Sequence, residues 1–259
     1  MPHEPASLCM FCGGKRSAKS GFRKKEMQNK VRTAAKIGAV VFDFDATLVD
    51  SEPNWFKADK RLFAEYGIDL TGKMKNEFIG KSLHHMVRTL CERYNLQVDE
   101  DLVREKKNQY YLEIARGNTH IFPEMRRFYD ALCASALPIA IASGTARSVI
   151  EILLDDLGIK KSFSFFLGND DAEHGKPSPD IYLLAAKKLS LDPCEILVIE
   201  DSPHGVTAAK DAGMSCAAIP YLLDEQSDPA FERADLLFCG GMKEFDYKKV
   251  YEWAGWNLL

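Results

Sequence analysis

From Gly38 onward the chain alternates short, nearly all-apolar runs with longer stretches whose apolar residues recur at helical spacing. The runs cover residues 39–44 (AVVFDF), 137–143, 163–168, 195–200, 215–220 and 234–239. Runs this short that lack a polar face read as strands buried on both sides. Amphipathic segments separate most of them, which predicts a Rossmann-like, doubly wound parallel α/β sheet with helices on both faces. One interval breaks the rhythm. Between Pro53 and His120 no convincing strand occurs, while Leu83, Met86, Val87 and Leu90 fall at i, i+3, i+4 and i+7. The pattern predicts an inserted all-α unit over residues 53–118, a core made of 37–52 and 119–259, and hinges near Ser51–Asn54 and Gly117–Pro123.

The segment before the first strand has a different character. Residues 1–36 hold nine Lys/Arg against two Glu and are rich in Gly and Ser, which predicts a flexible basic tail. Cys9 and Cys12 form a C-x-x-C there, but no second pair follows at the spacing a four-ligand zinc site needs. The remaining chain carries 25 basic and 36 acidic residues, within an overall net charge of -4. An acidic body argues against nucleic acid as the main partner. Seven scattered cysteines do not form a disulfide framework, and no apolar run approaches the length of a membrane span. The expectation is a cytoplasmic monomer without a membrane partner.

In an open parallel sheet, ligands bind beyond the carboxyl ends of the strands. Asp43 and Asp45 follow the first run, Ser143, Gly144 and Thr145 the second, and Lys176 the third within GKPSPD. Glu200 and Asp201 close the fourth. Carboxylates gathered at one rim need a countercharge, and an all-oxygen ligand set selects a hard cation such as Mg²⁺, which shares its coordination sphere with phosphate. Lys176 and Ser143 are placed to hold the remaining phosphate oxygens. These residue types in this order point to phosphoryl chemistry on a small phosphorylated metabolite.

The same four groups resemble the motifs of the haloacid dehalogenase superfamily. DFDAT is similar to its D-x-D-x-T, Ser143 to its second motif, Lys176 to its third and EDS to its acidic fourth, over about Val40–Tyr221. The resemblance implies that Asp43 is the nucleophile forming an aspartyl phosphate and Asp45 the general acid and base. It also implies phosphate contacts from Thr47, Ser143, Gly144 and Lys176. Mg²⁺ would be held by Asp43, the Asp45 carbonyl and Asp201, with Glu200 acting directly or through water. The inserted helices occupy the place of the family's cap. Trp55, Lys81, His84 and His85 are then candidates for contact with the leaving group, and Arg147, four residues after Ser143, for contact with phosphate or a sugar hydroxyl or for capping its own helix surface.

DSEPNW and SGTA resemble the β-phosphoglucomutase-like branch and its sugar phosphatases. The mutase carries His where this chain has Trp55 and Arg near Leu83, so the resemblance favours hydrolysis over the alternative of a phosphomutase. A fold kept without catalysis has only Ala46 in its favour, since the family places glycine there. The variability of that position predicts negative φ at Ala46.

Overall fold

The computed structural model describes residues 36–78, 83–222 and 228–257. The basic segment with Cys9 and Cys12, and Lys81, lie outside them. Six strands form one parallel sheet: β1 (Ala39–Phe42), β2 (Ile139–Ala142), β3 (Phe166–Leu167), β4 (Ile196–Glu200), β5 (Ser215–Ala218) and β6 (Leu236–Leu237). Each lies inside one of the six apolar runs. Their spatial order is β3-β2-β1-β4-β5-β6, so the chain winds outward from β1 on one side and then crosses back to start β4 on the other. β1 and β4 flank the point where the winding reverses, which is where a crevice opens in folds of this kind.

Side chains alternate across the sheet as strand geometry requires. Val40 and Phe42 of β1 join one buried cluster with Ile139, Ile141, Leu197 and Ile199, while Val41 faces the opposite one with Ala140, Val198 and Cys216. The first face is covered by α5 (Pro123–Ser135), α6 (Arg147–Asp156) and α9 (Tyr247–Ala254), the second by α7 (Asp180–Leu189) and α8 (Pro203–Asp211). With helices on both sides, neither face offers a polar row. That is why the strands read as unbroken apolar runs.

The interval between β1 and α5 holds α1 (Glu52–Ala64), α2 (Gly72–Asn76), α3 (Leu83–Tyr94) and α4 (Glu100–Ala115). These helices share a buried cluster of their own, built from Leu62, Phe63, Leu70, Met86, Val87, Leu90 and Val103. On the other side Trp55, Ala58, Tyr111 and Ala115 belong to the cluster under the sheet, so α1 and α4 also pack on the core. Two linkers join the insertion to the sheet and lie side by side: Val49 bridges Ile121, and Asp50 N–H donates to the His120 carbonyl at 2.9 Å. Among the described residues no helix is long and apolar enough to cross a membrane.

Ala46 departs from the expectation of negative φ: it adopts φ 56°. The reason lies in the turn leaving β1. The N–H groups of Leu48 and Val49 both reach the Phe44 carbonyl at 3.1 Å, and Ala46 N–H donates to Ser51 Oγ at 3.2 Å. So tight a turn demands a left-handed residue, at a cost of about 1–2 kcal/mol for alanine. The turn is buried and hydrogen-bonded throughout, so the surrounding bonds hold it against that strain.

Candidate active site

The three central strands end in chemistry. β1 delivers Asp43, whose N–H donates to the Ile199 carbonyl of β4, and β2 delivers Ser143, whose N–H donates to Leu167 of β3. β4 ends in Glu200 itself. Lys176 arrives from the loop after β3 and donates to Asp43 Oδ1 (2.6 Å), Glu200 Oε1 (2.6 Å) and the Ala142 carbonyl (3.0 Å). All three ammonium hydrogens are therefore used. A lysine that is 10% exposed keeps its charge only with partners of this quality.

Glu200 is fully buried and is the most heavily bonded group in the site. Oε1 also accepts from the Tyr182 hydroxyl (2.7 Å), while Oε2 accepts from Asp201 N–H (3.0 Å), Ser202 N–H (3.2 Å) and the Ser202 hydroxyl (3.2 Å). The carboxylate lies so close to the backbone of α8 that a Cβ at Gly205 would overlap it, which fixes glycine at that place. Ser202 caps α8 by accepting from Gly205 N–H at 3.0 Å. The same serine thus orders the helix start and the carboxylate.

Asp43, Glu200 and Asp201 bring carboxylate oxygens within 4.8 Å of one another. Burial pushes the Asp43 carboxyl up to about 8, with Lys176 opposing and Glu200 and Asp45 adding to the rise. Burial, followed by the Glu200 and Asp43 charges, likewise holds Asp201 well above the usual carboxylate range. For Lys176, burial opposes the charge, but Asp43 and Glu200 outweigh it and raise its affinity for a proton. Three acids against one lysine leave the rim short of positive charge. A hard divalent cation on oxygen ligands fits that deficit.

Asp45 faces a different set of groups. Its Oδ1 accepts from Trp55 Nε1 on α1 (2.7 Å) and its Oδ2 from the Thr145 hydroxyl after β2 (2.6 Å). Trp55 is itself fixed by stacking on Tyr111 of α4, with ring centroids 3.6 Å apart and planes 2° from parallel, and Lys107 lies 4.9 Å above the indole. Behind the stack, buried Asp59 pairs with Lys107 (2.7 Å) and Lys75 (2.8 Å). Glu52, 3.6 Å from Lys75, is raised by burial.

The remaining predicted residues are spread more widely. Thr47 is buried with its hydroxyl donating to Asp201 Oδ1 at 3.0 Å, and Ser143 Oγ accepts from Thr145 N–H at 3.2 Å. Gly144 sits in the Ser143–Thr145 turn with open space where a Cβ would be. Arg147 opens α6, with its N–H on Asp170 (2.8 Å) and its guanidinium 3.5 Å from Asp171. His84 pairs with Glu100 inside the insertion at 2.7 Å, and the His85 ring meets Phe78. Tyr182, Tyr111, Lys107, Asp59 and Lys75 are not among the residues expected from the sequence. Thr145, expected at the rim from its place directly after the second strand, meets Asp45 there.

The family model for haloacid dehalogenase-like hydrolases matches residues 40–219. A bifunctional riboflavin kinase/FMN phosphatase of Arabidopsis thaliana is 34% identical over 186 residues, 71% of this chain and 48% of that protein, so the chain spans about half of that relative. A phosphorylated carbohydrates phosphatase of Thermotoga maritima is 31% identical over 180 residues, 68% of this chain and 82% of that one. The crystal structure of β-phosphoglucomutase from Clostridium difficile shares the fold, with a TM-score of 0.69 at 22% identity over 85% of this chain and 97% of that one. The family match runs from the first strand to the end of the fifth and takes in every carboxylate of the rim: the chain belongs to the haloacid dehalogenase-like hydrolases.

Proposed function

We propose that the protein is a Mg²⁺-dependent phosphatase of small phosphorylated metabolites, with sugar phosphates as the substrate class, working through an aspartyl phosphate on Asp43. One observation carries the reading: Lys176 bridges Asp43 and Glu200 at 2.6 Å each, beside Asp201, at the switch point of the sheet. The relatives named phosphatases support the reaction class, and the phosphorylated carbohydrates phosphatase supports the substrate class. In this reading residues 53–118 form the cap, and residues 37–52 and 119–259 the core.

Asp43 attacks phosphorus while the bond from phosphorus to the leaving oxygen breaks. Asp45 gives that oxygen its proton, so a neutral alcohol departs and Asp45 is left as a carboxylate. Asp45 then takes a proton from water as the water oxygen bonds to phosphorus. The acyl-phosphate bond breaks, Asp43 returns as a carboxylate and inorganic phosphate leaves. Lys176, exchanging its bond to Asp43 for the phosphoryl group, meets the phosphoryl oxygens with the Ser143 hydroxyl and the Gly144 main chain, and Thr47 contributes by steadying Asp201. A Mg²⁺ held by Asp43, Asp201 and the Asp45 carbonyl, with Glu200 behind them, would neutralise phosphoryl charge.

The test is turnover of 4-nitrophenyl phosphate with Mg²⁺ and with a chelator. Asp43→Asn is expected to remove nearly all turnover, and chelation to do the same reversibly. Activity in Asp43→Asn comparable to that of the parent would refute the assignment. Phosphate release across sugar, polyol and nucleotide monophosphates then tests the substrate class.

A further inference from the structure

Asp45 is gripped from two sides, and the two grips come from different parts of the chain. Oδ1 is held by an indole N–H from α1 of the insertion, and Oδ2 by a hydroxyl from the core loop after β2. The indole is a donor only and can neither accept nor pass on a proton, so its sole effect on the carboxylate is to orient it. The ring is hard to turn: it is 8% exposed, stacked on the fully buried Tyr111 and covered by Lys107, whose ammonium is tied to Asp59 at 2.7 Å. The hinge between the two grips is short and braced, since Ser51 Oγ accepts from Ala46 N–H at 3.2 Å.

We propose that Trp55 and Thr145 are positioning residues that aim the Asp45 carboxyl at the leaving-group oxygen, one reaching it from the helical insertion and the other from the core. The inference rests on the general acid role of Asp45 given above. Trp55 Nε1 reaches Asp45 only while α1 lies against the core, so the acid is aimed when the insertion is seated. Its chemical consequence is selective. A nitrophenolate leaves phosphorus without needing a proton, whereas an unsubstituted phenolate or an alkoxide needs one, so in the step that expels the leaving group, which kcat/KM reads, only the second kind senses how well Asp45 is aimed.

Kinetics on a series of substituted phenyl phosphates tests this, because the substrates differ little in size but widely in leaving-group acidity. Trp55→Phe keeps a ring against Tyr111 and removes the N–H; Thr145→Val keeps the shape and removes the hydroxyl; Thr145→Ser retains the donor. The ratio of kcat/KM for phenyl phosphate to that for 4-nitrophenyl phosphate is expected to fall by about tenfold or more in Trp55→Phe and Thr145→Val, and to stay near the parent value in Thr145→Ser. An unchanged ratio in Trp55→Phe and Thr145→Val, or an equal fall for both substrates, overturns the proposal. If Trp55→Phe does not fold, as judged by thermal unfolding, the Thr145 pair decides on the same criterion. Failure of the underlying reading looks different: either the parent turns over no aryl phosphate or Asp43→Asn remains active.

Discussion

Removing the Lys176 ammonium probes the electrostatics of the rim directly, and Lys176→Met does so with little change in length. In metal-free protein at pH 7 the Asp43 carboxyl, pushed up to about 8, is largely protonated, so the ion pair that counts is Lys176 with fully buried Glu200. Taking one partner from a buried pair costs about 3–5 kcal/mol. Glu200 keeps the Tyr182 hydroxyl, two backbone N–H groups and the Ser202 hydroxyl, which favours the lower half of that range. For a chain of this size the unfolding midpoint would fall by roughly 6–20 °C.

The pH dependence of that loss has a definite sign. A carboxyl whose folded value lies above its unfolded 3.8 binds more protons folded than unfolded, so it draws stability down as pH rises until the folded group ionises. In the parent that decline ends near 8. Without the lowering influence of Lys176 it continues to higher pH, so the deficit of Lys176→Met widens between pH 8 and pH 9. Urea unfolding of both proteins in a chelating buffer at pH 7, 8 and 9 measures it. A variant within about 1 kcal/mol of the parent at pH 7, or a deficit that shrinks as pH rises past 8, refutes the reasoning.

The same proton balance predicts that Mg²⁺ binding at pH 7 expels about one proton or more, since the carboxyls of Asp43 and Asp201 are both held above their ordinary range. Calorimetric titration in two buffers of different ionisation heat reads the number, and heats independent of the buffer would contradict it. Ala46→Gly relieves about 1–2 kcal/mol of left-handed strain while adding about 0.4–1 kcal/mol of unfolded-chain entropy. A net gain of up to about 1.6 kcal/mol in urea unfolding is expected, and a loss would count against the strain at φ 56°.

The strands and the rim were legible for the same physical reason. A parallel strand covered on both faces leaves a run with no polar residue, and a carboxylate at the end of such a run stands out against it, as Asp43 and Glu200 do. Asp45 and Ser143 stand out from their places just beyond strand ends, and Lys176 from its GKPSPD loop after the third. What stayed hidden were partners set by packing between distant elements. Tyr182 looks like one more apolar residue on α7, yet its hydroxyl serves Glu200. Lys75 and Lys107, from different helices of the insertion, both converge on buried Asp59. Periodicity reports which face of a helix is covered and is silent on what covers it. Ala46 was misjudged because its conformation is dictated by hydrogen bonds to residues further along the turn and not by its own side chain.

The placement of β1 between β2 and β4 also bears on how the protein is made. Asp43 lies 133 residues before Lys176, and Thr47 lies 154 before the Asp201 it binds. At about 5–20 residues per second of synthesis, 154 residues take roughly 8–30 s. Throughout that time the first strand lacks β4, the later-made of its two neighbours, and Asp43 lacks Glu200 and Asp201 beside it. The helices of the insertion, rich in local contacts, emerge next and can form while the strand waits. The acidic rim therefore closes late, when β4 slots in beside β1, and a chain stopped short of that strand has Asp43 without Glu200 and Asp201.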